Sequence, residues 1–155
     1  MMNTEKTPLE MAVAQTPDVK GCFKKGVQAV KGEYRSKIQV MESRALTGSV
    51  DIDSATLALY PNANRWDYAI EYNDTTFFVE FHPASTGNVA EMIEKRTWLN
   101  WWLQEKAPLI NALKPANKIA YHWIATGSIK ILNGSRQYRM LATKGLLPKN
   151  MMVFN

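Results

Sequence analysis

Two apolar segments separated by Asn73-Asp74 constrain the fold of this chain more than any other feature. Residues 65–72 and 75–82 are rich in the aromatic and β-branched side chains that favour β-strands. Asn and Asp tolerate the left-handed backbone that a tight hairpin turn requires. The sequence therefore predicts an antiparallel hairpin, and the alternation of polar and apolar side chains over residues 49–53 predicts a third strand beside it.

Helical and strand patterns on both sides of the hairpin complete the predicted domain. Apolar residues at steps of three and four predict a first helix over residues 18–38, despite three glycines within it. A second helix is predicted over 88–106, a fourth strand over 118–125, a short helix over 135–143 and a last strand over 151–154. This order predicts an α/β domain in which a mixed central sheet is flanked by helices.

The size and composition of the chain are those of one globular domain. It has 155 residues, 46% of them hydrophobic and 21% charged, and a net charge of +5 that is compatible with a polyanionic partner. We expect residues 1–17 to form a flexible N-terminal arm and residues 18–155 to form the domain. No segment resembles a signal peptide or reaches the roughly 18 apolar residues of a membrane span, so we expect a cytoplasmic protein with no membrane association.

Period two places acidic and imidazole side chains at one end of the predicted hairpin. Asp67 lies near the start of the first strand, whereas Glu80 and His82 share a face near the end of the second. Because antiparallel pairing brings these ends together, we expect Asp67 close to Glu80 or His82. Carboxylate oxygens suit Mg²⁺ or Mn²⁺, so the sequence predicts a metal site here. The alternative is a solvated strand face that binds nothing.

The hairpin resembles the core of the PD-(D/E)XK nuclease superfamily, which includes restriction enzymes and Holliday-junction resolvases. The resemblance lies in residues 66–70 (WDYAI), the turn, and residues 77–82 (FFVEFH), with His82 where the family has Lys. The αβββαβ order of the family extends it to residues 18–125. It implies a restriction endonuclease-like fold and a metal-dependent enzyme that hydrolyses phosphodiesters in nucleic acid, with DNA as the expected substrate and Mg²⁺ or Mn²⁺ as cofactor.

The resemblance also implies roles for individual residues. Asp67 and Glu80 would bind the metal ion, His82 would orient or activate the attacking water, and Glu33 would match an acidic residue on the family's first helix. His82 in place of Lys changes the chemistry, because a His is a base or a donor depending on its neighbours. The alternative is therefore a catalytically inactive nuclease-fold protein that binds nucleic acid or a protein partner.

Basic residues on the two predicted helices are candidates for contact with nucleic acid. On the first helix they form a stripe, which either follows a phosphate backbone or is a solvated face. In some members of the family the catalytic Lys has moved to the helix that corresponds to the second helix here, which makes Lys95 and Arg96 candidates to replace it. Arg96 would either hold a phosphate or pair with a carboxylate such as Glu71. The candidates are Lys20, Lys24, Lys31, Arg35, Lys95 and Arg96.

Trp98, Trp101 and Trp102 lie on the side of the second helix opposite its main apolar stripe. A helix that is apolar on both sides is sandwiched within the fold or contacts another chain. We expect either burial or a homodimer formed through Trp98 and Trp102, rather than stacking on nucleic-acid bases.

Overall fold

A computed structural model describes residues 5–155 of the chain. Its strands are β1 (Lys24–Lys25), β2 (Ile38–Val40), β3 (Leu46–Asp51), β4 (Tyr68–Tyr72), β5 (Thr75–Ser85), β6 (Tyr121–Lys130) and β7 (Met152–Phe154). Its α-helices are α1 (Pro8–Ala14), α2 (Gly32–Arg35), α3 (Ile52–Thr56), α4 (Val89–Glu105), α5 (Pro108–Asn111) and α6 (Arg136–Thr143).

Five strands form one mixed sheet in the order β1-β3-β4-β5-β6. The first four are antiparallel to their neighbours. β6 runs parallel to β5, because α4 carries the chain back across the sheet between them. β2 and β7 pair with each other in a separate two-stranded parallel sheet. The predicted mixed α/β class, with helices flanking a mixed sheet, is confirmed.

The hairpin closes at the predicted turn. Asn73 and Asp74 have φ angles of 54° and 60°, the left-handed conformation of a two-residue hairpin loop. Tyr72 pairs with Thr75, and the register continues to Tyr68 opposite Val79. The start of β4 therefore lies beside the second half of β5, as the sequence predicts.

Both faces of the sheet are buried, which explains why β4 and β5 carry apolar residues on both of their faces. Ala69 and Phe78 belong to a core shared with Leu99 of α4. Ile70 and Val79 point the other way, into a second core whose members are mostly aromatic or β-branched. A strand enclosed on both sides loses the polar alternation of a half-exposed one.

The helix predicted over residues 18–38 is wrong. The segment instead forms a turn, β1, the four-residue helix α2 and β2. Gly21 and Gly26 have φ angles of 83° and 54°, which interrupt a right-handed helix. Val19 packs in one core and Val30 in the other, so the apolar residues at helical spacing serve two faces of the sheet rather than one stripe.

The expectation of a flexible arm over residues 1–17 is wrong for Pro8–Ala14, which form α1. Thr7 caps this helix by accepting a hydrogen bond from the Glu10 N–H at 3.3 Å, and Leu9 is buried. Seven residues are too few for a periodic pattern to be recognised in the sequence. Residues 1–4 of the expected arm lie outside the described residues.

The later elements follow the predicted order: the predicted helices occur as α4 and α6 and the predicted strands as β3, β6 and β7, but Ile52 and Asp53 of the strand expected over residues 49–53 begin α3. The turn before α4 is held by the side chain of Asn88, which accepts hydrogen bonds from both the N–H and the hydroxyl of Ser85. In the part of the chain that the structure describes, every helix is too short or too polar to cross a membrane.

Candidate functional site

The hairpin brings Asp67 and Glu80 together, as expected from the register. The N–H of Asp67 donates to Glu80 Oε1 at 2.9 Å, and the N–H of Phe81 donates to Asp67 Oδ2 at 3.0 Å. Each carboxylate is thus held by the backbone of the opposite strand. Only 1% of the Glu80 side chain is exposed, which excludes the alternative of a solvated strand face at this position.

Lys95 of α4 completes this group. Its Nζ lies 3.1 Å from Glu80 Oε2 and donates to the carbonyl oxygen of Arg65 at 3.0 Å. The Lys95 side chain is 13% exposed, so the ion pair is largely shielded from water. A buried pair of this kind needs hydrogen bonds to its remaining polar atoms, and the Arg65 carbonyl and the Asp67 N–H provide them.

The two carboxylates share the charge of one ammonium group. Burial raises the pKa of Asp67 to about 6, against the opposing effects of the Phe81 N–H and the Lys95 charge. Burial, and then the nearby charge of Asp67, raise the pKa of Glu80 well above its usual value. Burial alone would lower the pKa of Lys95, but the adjacent Glu80 outweighs it and the pKa is raised. The group therefore has a deficit of positive charge.

His82 contacts α4 rather than the two carboxylates. Its Nε2 lies 3.2 Å from Glu91 Oε2, and its Nδ1 lies 3.0 Å from the carbonyl oxygen of Pro83. The imidazole at the position where the family has Lys is thus engaged by the helix that carries Lys95.

The predicted basic stripe does not form, because the helix that would carry it is absent. Lys20 follows a turn, Lys24 lies in β1, and Lys31 and Arg35 flank the short α2. The Arg35 guanidinium donates to the carbonyl oxygens of Val30 and Gln28.

Glu33 does not lie on a long first helix, as the resemblance implied. It belongs to α2, where its side chain is mostly exposed and pairs with Lys31 at 3.2 Å.

Arg96 is directed away from the carboxylates. Its guanidinium lies 3.6 Å from the centroid of the Tyr121 ring, a cation–π contact, and burial lowers its pKa. Arg96 does not pair with Glu71, which was the alternative expected from the sequence. Glu71 is fully buried and accepts hydrogen bonds from the Leu9 N–H at 2.9 Å and the Thr47 hydroxyl at 2.8 Å. Of the two basic neighbours on α4, the structure therefore brings Lys95 alone to the carboxylates.

The tryptophans of α4 pack mainly within the chain. Trp102 is fully buried, and its Nε1–H donates to Asp18 Oδ2 at 3.0 Å. Trp98 stacks on it with a centroid distance of 5.9 Å, whereas 41% of Trp101 is exposed. These contacts agree with the burial expected as one alternative. A homodimer through this helix stays a prediction.

Sequence reasoning missed two residues beside the candidate site. Arg65 donates to Asp53 Oδ1 at 2.8 Å and to the carbonyl oxygen of Tyr60 at 2.7 Å, which fixes the loop that leads into Asp67. Glu91 contacts His82 from α4. The spacing of four between Glu91 and Lys95 places both on one face of the helix, and that spacing was the signal available in the sequence.

The carboxylate oxygens of Asp67 and Glu80 are the atoms that could hold a metal ion in this group. No cluster of three or more His, Cys, Asp or Glu side chains suited to a metal occurs among residues 5–155. Asp67 Oδ1 accepts no hydrogen bond from any described residue, so it is free to act as a ligand beside Glu80. Mg²⁺ and Mn²⁺ are often held by one or two carboxylates, with water in the other positions. Asp67 thus has one free carboxylate oxygen of the kind that this pattern uses, whereas both oxygens of the neighbouring Glu80 already accept a hydrogen bond or pair within the chain.

The fold and the candidate site define the chain as a mixed α/β protein with a buried carboxylate–lysine group at one end of its sheet. Comparisons with protein-family models, with curated proteins and with solved structures found no match to this chain.

Proposed function

We propose that this protein is a nuclease that uses Mg²⁺ or Mn²⁺ to hydrolyse phosphodiesters in nucleic acid, with DNA as the expected substrate. The observation that carries the proposal is the 3.1 Å contact of Lys95 Nζ with Glu80 Oε2 beside Asp67. Two acids on adjacent strands and a cation at the same sheet end are the residues that the resemblance to PD-(D/E)XK nucleases requires. The cation comes from the following helix, as in those members whose Lys has moved there.

The order of elements around this group supports the same proposal. β3, β4 and β5 form an antiparallel meander, α4 follows, and β6 pairs in parallel with β5. This is the βββαβ part of the order that the resemblance implies. The helix that the resemblance places before these strands, over residues 18–38, does not form, and α1 packs on the same face of the sheet as α4.

In the proposed reaction, Asp67 and Glu80 would hold the metal ion, which when bound would supply a water of lowered pKa and a positive charge for the phosphate. Asp67 offers its free Oδ1, while the Phe81 N–H fixes the orientation of the carboxylate. Lys95 stays protonated at neutral pH because Glu80 raises its pKa. Its ammonium group supplies a fixed positive charge beside the position of the scissile phosphate.

Cleavage of plasmid DNA and of labelled oligonucleotides tests this proposal. We expect cleavage with Mg²⁺ or Mn²⁺, none with EDTA, and a loss of at least about 100-fold in rate for Asp67→Asn and for Lys95→Met. Lys106→Met, which removes an exposed lysine just after α4, is the control and should keep the wild-type rate. The proposal is wrong if neither DNA nor RNA is cut under any of these conditions, or if Asp67→Asn cuts at the wild-type rate.

A second candidate is a nuclease-fold protein that binds nucleic acid without cutting it. It is favoured by the closure of Glu80, both of whose oxygens already accept or pair within the chain. Binding to DNA that weakens with salt, is unchanged by EDTA and is not accompanied by cleavage would select this candidate over the enzyme.

A further inference from the structure

Strand β5 and helix α4 are joined by two polar side-chain contacts with matched spacing. Glu80 and His82 lie two residues apart on the strand, and Lys95 and Glu91 lie four residues apart on the helix. Glu80 Oε2 meets Lys95 Nζ at 3.1 Å, and His82 Nε2 meets Glu91 Oε2 at 3.2 Å. Two steps along a strand and four along a helix both span about 6–7 Å, so the contacts form one continuous row.

We propose that His82 and Glu91 are positioning residues for Lys95. They clamp the first two turns of α4 against β5, and this holds the Lys95 ammonium at Glu80. The proposal rests on the function proposed above for Lys95. It assigns His82 a role different from that of the Lys in the PD-(D/E)XK pattern. His82 on the strand anchors α4, and Lys95 on α4 supplies the cation.

The strand side of this clamp is rigid. The His82 ring is 14% exposed, and its Nδ1 is directed at the Pro83 carbonyl oxygen. The backbone of His82 is also fixed, because its carbonyl oxygen accepts a hydrogen bond from Trp123 Nε1 at 3.0 Å. With the ring oriented by these contacts, its Nε2 presents one fixed point to α4.

On the helix side, Lys95 stays at Glu80 only if the start of its flexible side chain is held in place. A Lys side chain has four rotatable bonds and loses considerable entropy when it is confined. Glu91 lies one turn before Lys95 on the same face, and its side chain is 46% exposed. Its contact with His82 therefore fixes the helix at the turn that determines where the Lys95 stem begins.

Chemical labelling of Lys95 in the full-length protein tests the clamp without any assumption about activity. Acetic anhydride modifies accessible amines, and peptide mapping by mass spectrometry gives the rate at Lys95. We expect Glu91→Gln and His82→Asn each to raise this rate about fivefold, since a partly exposed ion pair contributes an equilibrium factor of that order. Glu105→Gln makes the same charge change at the far end of α4 and should leave the rate unchanged.

A rescue variant separates positioning from a general loss of packing. His82→Lys places an ammonium group where it can pair with Glu91, so Lys95 should stay as protected as in the wild type. In an active enzyme, Glu91→Gln and His82→Asn should lower kcat about fivefold or more with KM unchanged, and His82→Lys should restore kcat.

The outcomes distinguish the clamp from the proposed function. If Lys95 reacts equally fast in the wild type, Glu91→Gln and His82→Asn, the clamp does not exist, whether or not the protein cuts DNA. If labelling rises but kcat does not fall in an active enzyme, His82 and Glu91 do not position a functional Lys95. If the wild type fails to cut any nucleic acid, the proposed function is wrong, and positioning for catalysis is wrong with it.

Because Glu91 is half exposed, Glu91→Gln should fold normally, and its melting temperature checks this.

Discussion

Asp67 and Glu80 are two buried carboxylates whose ionisation opposes folding. Burial raises the cost of ionising both carboxylates, the charge of Asp67 adds to that cost at Glu80, and one ammonium group compensates for only part of it. A core that served stability alone would gain by neutral residues at these positions. Groups whose pKa values are shifted by burial and by a charged neighbour are common at functional sites, which is why the proposed function is assigned to this pair.

Replacement of Asp67 by Asn should stabilise the protein at neutral pH. The pKa of Asp67 rises from 3.8 in the unfolded chain to about 6 in the fold, so the native state holds a proton that the unfolded state has lost. The wild type therefore loses stability as the pH rises from about 4 to 6, and we expect Asp67→Asn to be about 2–3 kcal/mol more stable at pH 8. Urea denaturation across this range measures the difference. Asp74→Asn, at the exposed hairpin turn, is the control; an equal gain there would contradict the prediction.

His122 should act in the opposite direction on the acid side. Burial, and then the charge of Lys149, lower its pKa from 6.5 to about 4, against the effect of the Ile119 carbonyl. The unfolded chain takes up a proton that the fold excludes, so this contribution is fully present above about pH 6.5 and is lost as the pH falls towards 4. Relative to His122→Gln, the wild type should lose about 2 kcal/mol between pH 7 and pH 5. A constant difference between the two proteins over this range would show that His122 is not shielded.

At the scale of elements, predictability depended on whether a turn signal or a long repeated pattern marks the element. The hairpin was predictable because Asn73-Asp74 marks its turn and the register then follows. α4 was predictable because its seventeen residues repeat the helical period several times. The segment 18–38 was not, because its apolar residues pack into two separate cores. A periodic pattern reports a common face only when one core receives all its members.

The candidate site was predictable only where a local pattern determines the contact. The contact of Asp67 with Glu80 followed from period two and the turn. The choice of Lys95 over Arg96 depended on the direction in which α4 crosses β5, which no local pattern encodes. Arg96 instead faces Tyr121 of β6, a strand that is parallel to β5 and about 40 residues away in the sequence. Neighbouring positions on a helix are separated by about 100°, so they reach different parts of the sheet.

The hairpin turn is an element that a single substitution should improve. Asp74 has a φ of 60°, a left-handed conformation that is less favourable for Asp than for glycine. Asn-Gly is a favoured pair for this turn. We expect Asp74→Gly to raise the free energy of unfolding by about 0.5–1 kcal/mol in urea denaturation. Asn117→Gly, at an exposed loop position outside the left-handed region, should lower it slightly. A loss of stability for Asp74→Gly would mean that the Asp74 side chain contributes more than its backbone conformation costs.

At the scale of the whole molecule, the net charge of +5 is spread over several elements instead of lying on one helix. The basic residues of the segment 18–38 occupy loops, β1 and the ends of α2. The acidic pair and Lys95 lie between the sheet and α4, linked to both. Because the carboxylates join two chain segments of the hairpin and Lys95 joins α4 to them, a cation bound there under the proposed function would stabilise the entire domain.

Divalent metal should therefore stabilise the whole fold, and more so at higher pH. Protons and the metal ion compete for Asp67 and Glu80, so binding should strengthen as the pH passes about 6, where Asp67 ionises. With Mn²⁺ at about 100 times its dissociation constant, the gain should be about 2.7 kcal/mol, seen as a higher melting temperature at pH 8 and a much smaller rise at pH 5. Asp67→Asn should abolish the rise, whereas Asp74→Asn should retain it. An equal rise in Asp67→Asn would show that Mn²⁺ binds elsewhere on the protein, and no rise in the wild type at pH 8 would remove the metal from the proposed reaction.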